Sequence, residues 1–295
     1  MAAVRIIVCT KRDLAGALVL NQLLPRLAGA TVSVLLSDKT RPAEQAVPEL
    51  AELAYLERGL PVDTLFPLID RIGGDGGRLA TLAGIGRRHG VPVTVVDNVN
   101  SPATLALIED FAPDVMVSIR FSHIFKRRVF ELPRWGTYNL HPGALPHYAG
   151  LFAPFRALVD GEARIGCTVH RVDDGIDTGP VVGIGWLPVR RDRSLLWHVV
   201  NAYSPGVGLF LGMLDTLGGG GGVTAAPQDF ADRHYGSMPD AAGFAAFRAR
   251  GLRLFDPAEY AALLAGFMPD GMGTAGIGPA AGGDGWGGPC FYARA

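Results

Sequence analysis

Two short segments of this chain hold side chains suited to acyl chemistry. In Tyr138-Asn139-Leu140-His141-Pro142 an amide and an imidazole stand two residues apart. Gly136–Leu140 reads as a short strand, and residues two apart on a strand project from one face, so Asn139 and His141 emerge together. Pro142 then ends the strand and fixes the exit of the loop. In Asp173-Asp174-Gly175-Ile176-Asp177-Thr178-Gly179-Pro180 three carboxylates lie within five positions, beside glycines that permit tight turns. Taken singly, the first segment reads equally well as a polar strand end, and the second as a hairpin connection. The spacing of a calcium-binding EF-hand and its terminal Glu are absent.

Taken together, an imidazole, an amide donor and a carboxylate suit attack of an amine on an acyl carbon. Asn139 and protonated His141 can donate to the developing oxyanion. Asp177 can hold His141 in its charged form or take the proton lost by the amine. No Ser or Cys stands in a Gly-x-Ser-x-Gly setting, so direct transfer is expected rather than a covalent intermediate. The scheme requires no metal.

The elements that must position these groups follow from hydrophobic pattern. Val4–Cys9, Thr31–Leu36, Val91–Val96 and Asp114–Ile119 read as strands. They alternate with helical spacing over Leu14–Leu27, Pro48–Arg58, Leu79–His89 and Ala103–Phe111. The expected fold is therefore α/β, a Rossmann-like and mostly parallel sheet with helices on both faces. Such sheets bind ligands at the carboxyl ends of their strands, where Asn139 and His141 would lie. The loop Thr10-Lys11-Arg12-Asp13 after the first strand lacks the glycine pattern of a dinucleotide or P-loop site.

Beyond the first motif, Gly166–Val172 and Pro180–Leu187 read as strands flanking the acidic loop, and a helix is expected from about Arg193. The most apolar stretch, Leu195–Leu214, contains His198, Asn201 and Pro205, which suits a buried helix better than a membrane span. Five glycines, Gly218–Gly222, suggest a linker. The expected organisation is a catalytic domain over 1–217, a small helical accessory region over 224–268 and a Gly/Ala-rich tail over 269–295.

Hydrophobic residues at 48% against 19% charged accommodate a sizeable core. A formal net charge of −1 gives no electrostatic reason to expect a polyanionic partner. Cys9, Cys167 and Cys290 are far apart and odd in number, which suits a reducing, cytoplasmic setting. Neither a membrane nor a nucleic-acid partner is expected, and a homo-oligomer is left open.

Asn139-Leu140-His141-Pro142-Gly143-Ala144-Leu145-Pro146, with Tyr148-Ala149-Gly150 after it, resembles the signature of the formyltransferases that use 10-formyltetrahydrofolate. The likeness continues through Gly166-Cys167-Thr168-Val169-His170 and the acidic loop to Gly179, at the family's order and spacing. It implies a Rossmann-like catalytic domain with 10-formyltetrahydrofolate as the formyl donor, and assigns Asn139, His141 and Asp177 to the catalytic positions. It also implies that Phe121, Ser122, His123, Ile124 and Phe125, with Val172, Asp173, Asp174, Gly175 and Ile176, wrap the pterin, largely through backbone groups. An ordinary packing turn is the rival account of Phe121–Phe125.

Departures from the family's branches narrow the acceptor. Thr10–Asp13 does not resemble the glycine- and serine-rich phosphate loop of the enzymes that formylate glycinamide ribonucleotide. Enzymes acting on initiator methionyl-tRNA carry a C-terminal nucleic-acid-binding barrel. Residues 220–295 here hold five Arg, no Lys and seven Asp or Glu, where an RNA surface should be enriched in positive charge. Enzymes that hydrolyse the donor usually have a regulatory domain first, whereas Val4 already begins the first strand. The expectation is N-formylation of a small primary amine, nucleotide-linked amino sugars included. Lys11, Arg12 and Arg120 could meet an acceptor phosphate or carboxylate, with solvated surface charge as the rival account. Tyr148 and Phe152 could line the acceptor pocket, with core packing as the rival. The alternatives are hydrolysis of the donor to formate and a non-catalytic folate-binding protein.

Overall fold

The computed structural model describes residues 3–73 and 77–269; the tail expected from Asp270 onward lies outside them. The chain opens with strand β1 (Arg5–Lys11), helix α1 (Leu14–Leu23), β2 (Thr31–Ser37), α2 (Pro48–Ala54), α3 (Phe66–Arg71) and α4 (Leu82–His89). It continues with β3 (Val93–Val96), α5 (Pro102–Phe111), β4 (Val115–Ile119), α6 (Arg127–Phe130), β5 (Thr137–His141), β6 (Ala149–Gly150) and α7 (Ala153–Asp160). The last elements are β7 (Arg164–Arg171), β8 (Val181–Pro188), α8 (Leu195–Asn201), α9 (Ser204–Gly218), β9 (Tyr235–Gly236), α10 (Ala241–Ala249) and α11 (Pro257–Ala265).

Seven strands form one sheet in the order β3-β2-β1-β4-β5-β7-β8. The first five are parallel; β7 and β8 continue the sheet antiparallel. The two-residue side-chain period divides the sheet cleanly between its faces. Ile6, Val8, Val115, Val117, Tyr138 and Leu140 join the cluster under α1, α4 and α9. Ile7, Cys9 and Met116 join the opposite cluster, under α5 and α6. This is a Rossmann-like sheet covered on both faces, as the alternating pattern predicted.

Three local expectations need correction. The Pro48–Arg58 helix is α-helical only to Ala54; Tyr55–Gly59 and Pro61–Leu65 then run as wider turns into α3. Pro61 has no N–H to give, and the helix widens around it with Leu60 N–H bonded to Tyr55 O and Leu65 N–H to Leu60 O. The stretch Leu195–Leu214 is two helices, α8 and α9, and Pro205 sits in the first turn of α9, where its missing N–H costs no hydrogen bond. Helix α4 starts three residues later than its apolar pattern, because the Thr81 hydroxyl caps it by accepting from Gly84 N at 2.9 Å. Among the described residues no helix is long and apolar enough to cross a membrane.

Residues beyond the glycine run pack back onto the body. Phe244 and Phe247 of α10 join a cluster with Leu50, Phe155 and Leu158. Tyr260, Leu263 and Phe267 join the cluster of β1 and α1.

Candidate active site

His141 is the last residue of β5, and Asn139 precedes it on the same face. The antiparallel neighbour β7 sets His170 opposite Asn139 and Thr168 opposite His141. Residues directly opposite across a ladder share a face, so four polar side chains gather at one sheet end. Thr168 fastens the loop that follows: its hydroxyl donates to Gly143 O at 2.6 Å and accepts from Leu145 N at 3.1 Å.

The partners of the two imidazoles define their protons. His141 Nε2 lies 2.6 Å from Tyr148 O, a carbonyl that can only accept, so Nε2 carries a hydrogen. His170 Nδ1 likewise donates to Arg171 O at 2.8 Å, and its Nε2 accepts from Asn139 Nδ2 at 3.1 Å. Burial lowers the His170 pKa, consistent with this neutral tautomer. Asn139 Nδ2 thus spends one hydrogen on His170 and retains a second, while Asn139 itself lines a cavity.

Asp177 reaches the cluster from the loop between β7 and β8. Its Oδ1 lies 3.6 Å from His141 Nδ1 and 3.7 Å from His170 Nε2, and its side chain is 10% exposed against 5% for His141. Its Oδ2 accepts from Gly150 N at 2.8 Å. The Asp177 backbone sits in the left-handed region at φ 55°, which is uncommon for a residue with a Cβ, although Asp adopts it more readily than most. Asp173 braces the same loop, accepting from Thr178 Oγ1 at 2.6 Å and Gly175 N at 3.1 Å. Gly150, at φ +86°, packs so close to Gly236 that a Cβ would press on the Gly236 carbonyl.

Asn139, His141, His170 and Asp177 face a cavity of about 1020 Å³. One side is lined by Phe121, Ser122, His123, Ile124 and Phe125, together with Val172, Asp173, Gly175 and Ile176. Phe121 and Phe125 stack at 5.4 Å, and Ile124 and Ile176 expose apolar surface at 61% and 42%. His123 Nε2 is buried there with no hydrogen-bond partner. Apolar faces with an unspent imidazole nitrogen and backbone polar groups suit a planar aromatic ligand with polar edges. Asp174 is not among the lining residues; its carboxylate pairs with Arg127.

The cavity is also lined by residues from the 40–63 segment, among them Glu44, Leu50, Tyr55 and Glu57, and by Phe152, Pro154, Val199, Tyr203 and Met238. Phe152 both lines the cavity and packs edge-on to Phe155 at 6.5 Å, so its two sequence accounts coincide. Tyr148 turns away, its hydroxyl lying 3.0 Å from both Asp160 Oδ2 and Glu162 Oε1, which share its one hydrogen; its carbonyl holds His141 instead. The three predicted cations all meet carboxylates of the chain. Lys11 Nζ lies 3.3 Å from Glu44, and Arg12, outside the lining, lies 2.7 Å from Asp63. Arg120 donates to Asp13 at 2.5 Å and also pairs with Glu57. Burial raises the Glu57 pKa, opposed by the Arg120 charge.

Sequence reasoning assigned no role to His170, although it stands in the quoted motif. Only the β5–β7 register shows that it orients Asn139. Asp13 and Glu57 also went unnoticed, since their relation to Arg120 is purely tertiary. Among the described residues no cluster of His, Cys, Asp or Glu has the make-up of a metal site.

Residues 92–195, from β3 to the start of α8, match the family model described as formyl transferase. Methionyl-tRNA formyltransferase of Kosmotoga olearia is 28% identical over 151 residues, 51% of this chain and 48% of that protein. The chain spans about half the length, or less, of the curated relatives it matches. In fold it is similar to a 4-N formyltransferase from Francisella tularensis, with TM-score 0.53, 15% identity and coverage of 81% and 78% of the two chains. An N-formyltransferase from Helicobacter canadensis, crystallised with folinic acid and dTDP-3-aminofucose, gives TM-score 0.52 at 16% identity, covering 80% and 71%.

Proposed function

Residues 92–195 being a formyl transferase domain, we propose that this chain transfers a formyl group from 10-formyltetrahydrofolate to a primary amine of a small molecule. The observation that carries the reading is the convergence of Asn139, His141 and Asp177, with Asp177 Oδ1 3.6 Å from His141 Nδ1, on one wall of a large cavity. The side with stacked Phe121 and Phe125 and the unpartnered His123 Nε2 suits the pterin of the donor, which brings the activated formyl group.

The chain's own residues then have defined tasks. The unspent Asn139 Nδ2–H and protonated His141 donate to the oxyanion as the amine nitrogen bonds to the formyl carbon. Asp177, set between two imidazoles, stabilises His141 in its charged form and takes the proton lost by the amine, directly or through water. As the bond from the formyl carbon to the donor nitrogen breaks, a proton returns to that nitrogen from His141. Neutral His170 keeps Asn139 aimed, and its second nitrogen is occupied by Arg171 O.

A small acceptor is supported by two features. Residues from the 40–63 segment, together with Gly150, Leu151, Phe152 and Pro154, add a further wall to the cavity beyond the residues suited to the pterin. Of its cations Lys11, Arg41, Arg58 and Arg120, three already pair with carboxylates: Lys11 with Glu44, Arg58 with Asp38 and Asp63, and Arg120 with Asp13 and Glu57. Such a charge-balanced wall offers little to a polyanion. Nucleotide-linked amino sugars, the acceptor type crystallised with the H. canadensis protein, are the first to try.

The test is absorbance-monitored turnover of 10-formyltetrahydrofolate with and without pools of amines. Amine-dependent loss of donor supports transfer, and fractionating the active pool leads to the acceptor. Amine-independent release of formate would replace transfer by hydrolysis. No consumption with any pool would sink the catalytic reading.

A further inference from the structure

The segment after the glycine run gives three hydrogen bonds to the acidic loop and also pairs with β8 and β6 on either side of it. Ala226 bridges to Val181, with N–H···O distances of 2.7 and 2.8 Å. Gln228 Nε2 donates to Asp177 O at 3.1 Å and to Gly179 O at 2.7 Å. Arg233 Nη2 donates to Ile176 O at 2.8 Å. Strand β9 pairs with β6, so that Ala149 N reaches His234 O at 3.1 Å and Leu151 N reaches Gly236 O at 2.8 Å. The residue between those two bonds is Gly150, whose N–H holds Asp177 Oδ2. One stretch of about ten residues therefore fastens both the loop that carries the carboxylate and the loop that orients it.

We infer that Gln228 is a positioning residue of the site, whose two amide hydrogens hold the Asp177 backbone in its left-handed conformation and so set the carboxylate between His141 and His170. This rests on the proposed formyl transfer only for its catalytic consequence. The Gln228 amide is suited to the task because one nitrogen carries two hydrogens, and two carbonyls flanking Thr178 accept both. Without them Asp177 O and Gly179 O lose their donor, and φ 55° at Asp177 loses part of its support. A carboxylate displaced by an ångström no longer matches the reacting geometry. Gln228 touches no reacting atom in this account; it acts through Asp177.

The experiment compares wild type with Gln228→Ala and Gln228→Glu, each normalised to folded protein by far-UV circular dichroism. Gln228→Ala is expected to lower kcat about tenfold or more, with the donor KM within about twofold. Gln228→Glu keeps the shape but presents oxygens to two carbonyls, so at pH 8 it should be as damaging. As pH falls toward the carboxyl range, its activity relative to wild type should recover in part, because a protonated carboxyl donates one hydrogen where the amide donated two. A purely structural role would not produce that recovery. Activity per folded molecule of Gln228→Ala within about twofold of wild type, or a change in KM alone, overturns the inference. Amide hydrogen exchange gives a reading independent of turnover: in Gln228→Ala, protection should fall across residues 173–180 while the sheet strands are unchanged. If wild type consumes no formyl donor, the proposed function fails by itself. Unchanged protection in 173–180 would then overturn the positioning role by itself.

Discussion

Asn139 and His141 differ in how much of their hydrogen bonding is already used, and that difference sets what each substitution should do. Asn139→Ala removes an oxyanion donor and also strips His170 Nε2 of its partner. His141→Ala removes the second donor and the proton source. Each is expected to lower kcat by about 10²–10³ per folded molecule, the usual loss for one oxyanion donor. Steady-state rates near wild type in either variant would remove that residue from the mechanism. Asp177→Asn keeps an acceptor for Gly150 N–H but loses the charge beside His141, so turnover should fall comparably while the loop stays folded. The buried histidines add a pH dependence of stability. His198, like His170, donates from Nδ1 to a carbonyl (Ser194 O, 2.7 Å) and accepts at Nε2 from an N–H (Arg190, 3.0 Å), and burial lowers both pKa values. The unfolded chain protonates each near the ordinary value of about 6.5, the folded chain only at lower pH. Their contribution is therefore complete above that value and lost as pH falls below it toward the folded pKa values. Urea midpoints should drop between pH 7.5 and 5.5, and His198→Gln should flatten that slope; an unchanged slope would mean that His198 titrates alike in both states.

Elements convert those residues into a site, and the packing of α9 on β7 leaves little room behind the catalytic face. Gly206 of α9 lies so close to β7 that a Cβ would press into Cys167 Sγ, with Cys167 Cβ at 3.2 Å and Leu140 Cγ at 3.5 Å. Gly206→Ala is therefore expected to destabilise by about 1–3 kcal/mol, the range for overpacking a filled core. It should also lower activity by shifting β5 and β7 against each other. A urea midpoint equal to that of wild type would show that α9 has room to move. The elements also explain what could be read in advance. Strands β1, β2 and β4, buried on both faces, announce themselves as runs of branched apolar residues, and the motif spacing fixes β5 and its turn. The Pro48–Arg58 reading runs past the end of α2 at Ala54 because the wider turn of Tyr55–Gly59 preserves the apolar spacing of an ordinary helix. His170 carries no local mark of its task; its role exists only in register with Asn139. Gln228 lies 51 residues from Asp177 in sequence, with no pattern to link them.

At the scale of the whole molecule, the question is whether residues 224–268 unfold with the sheet or separately. A glycine run ahead of them suggests autonomy, but their side chains are spent on the body. Phe247 stacks on Phe155 at 5.1 Å, and Phe267 lies 4.7 Å from Phe66. Tyr260 Oη donates to Leu56 O at 2.7 Å, Ser194 Oγ to Glu259 Oε2 at 2.7 Å, and Leu79 N to Gly266 O at 2.7 Å. An isolated pair of helices, α10 and α11, would leave those aromatic rings in water and has no core of its own to replace them. A single cooperative transition is therefore expected. Phe247→Ala should shift all of it, costing about 3–5 kcal/mol as for other buried aromatic truncations. The measurement is urea unfolding followed by tryptophan fluorescence in a Trp286→Phe background, which leaves Trp135, Trp186 and Trp197 of the body as reporters, and by far-UV circular dichroism, which reports every helix. Coincident curves that move together in Phe247→Ala are the expected result. A separate early transition, seen by circular dichroism alone and alone shifted by the substitution, would make 224–268 an independent unit. The grip of Gln228 on Asp177 would then be lost before the sheet unfolds, and activity should disappear along that first transition.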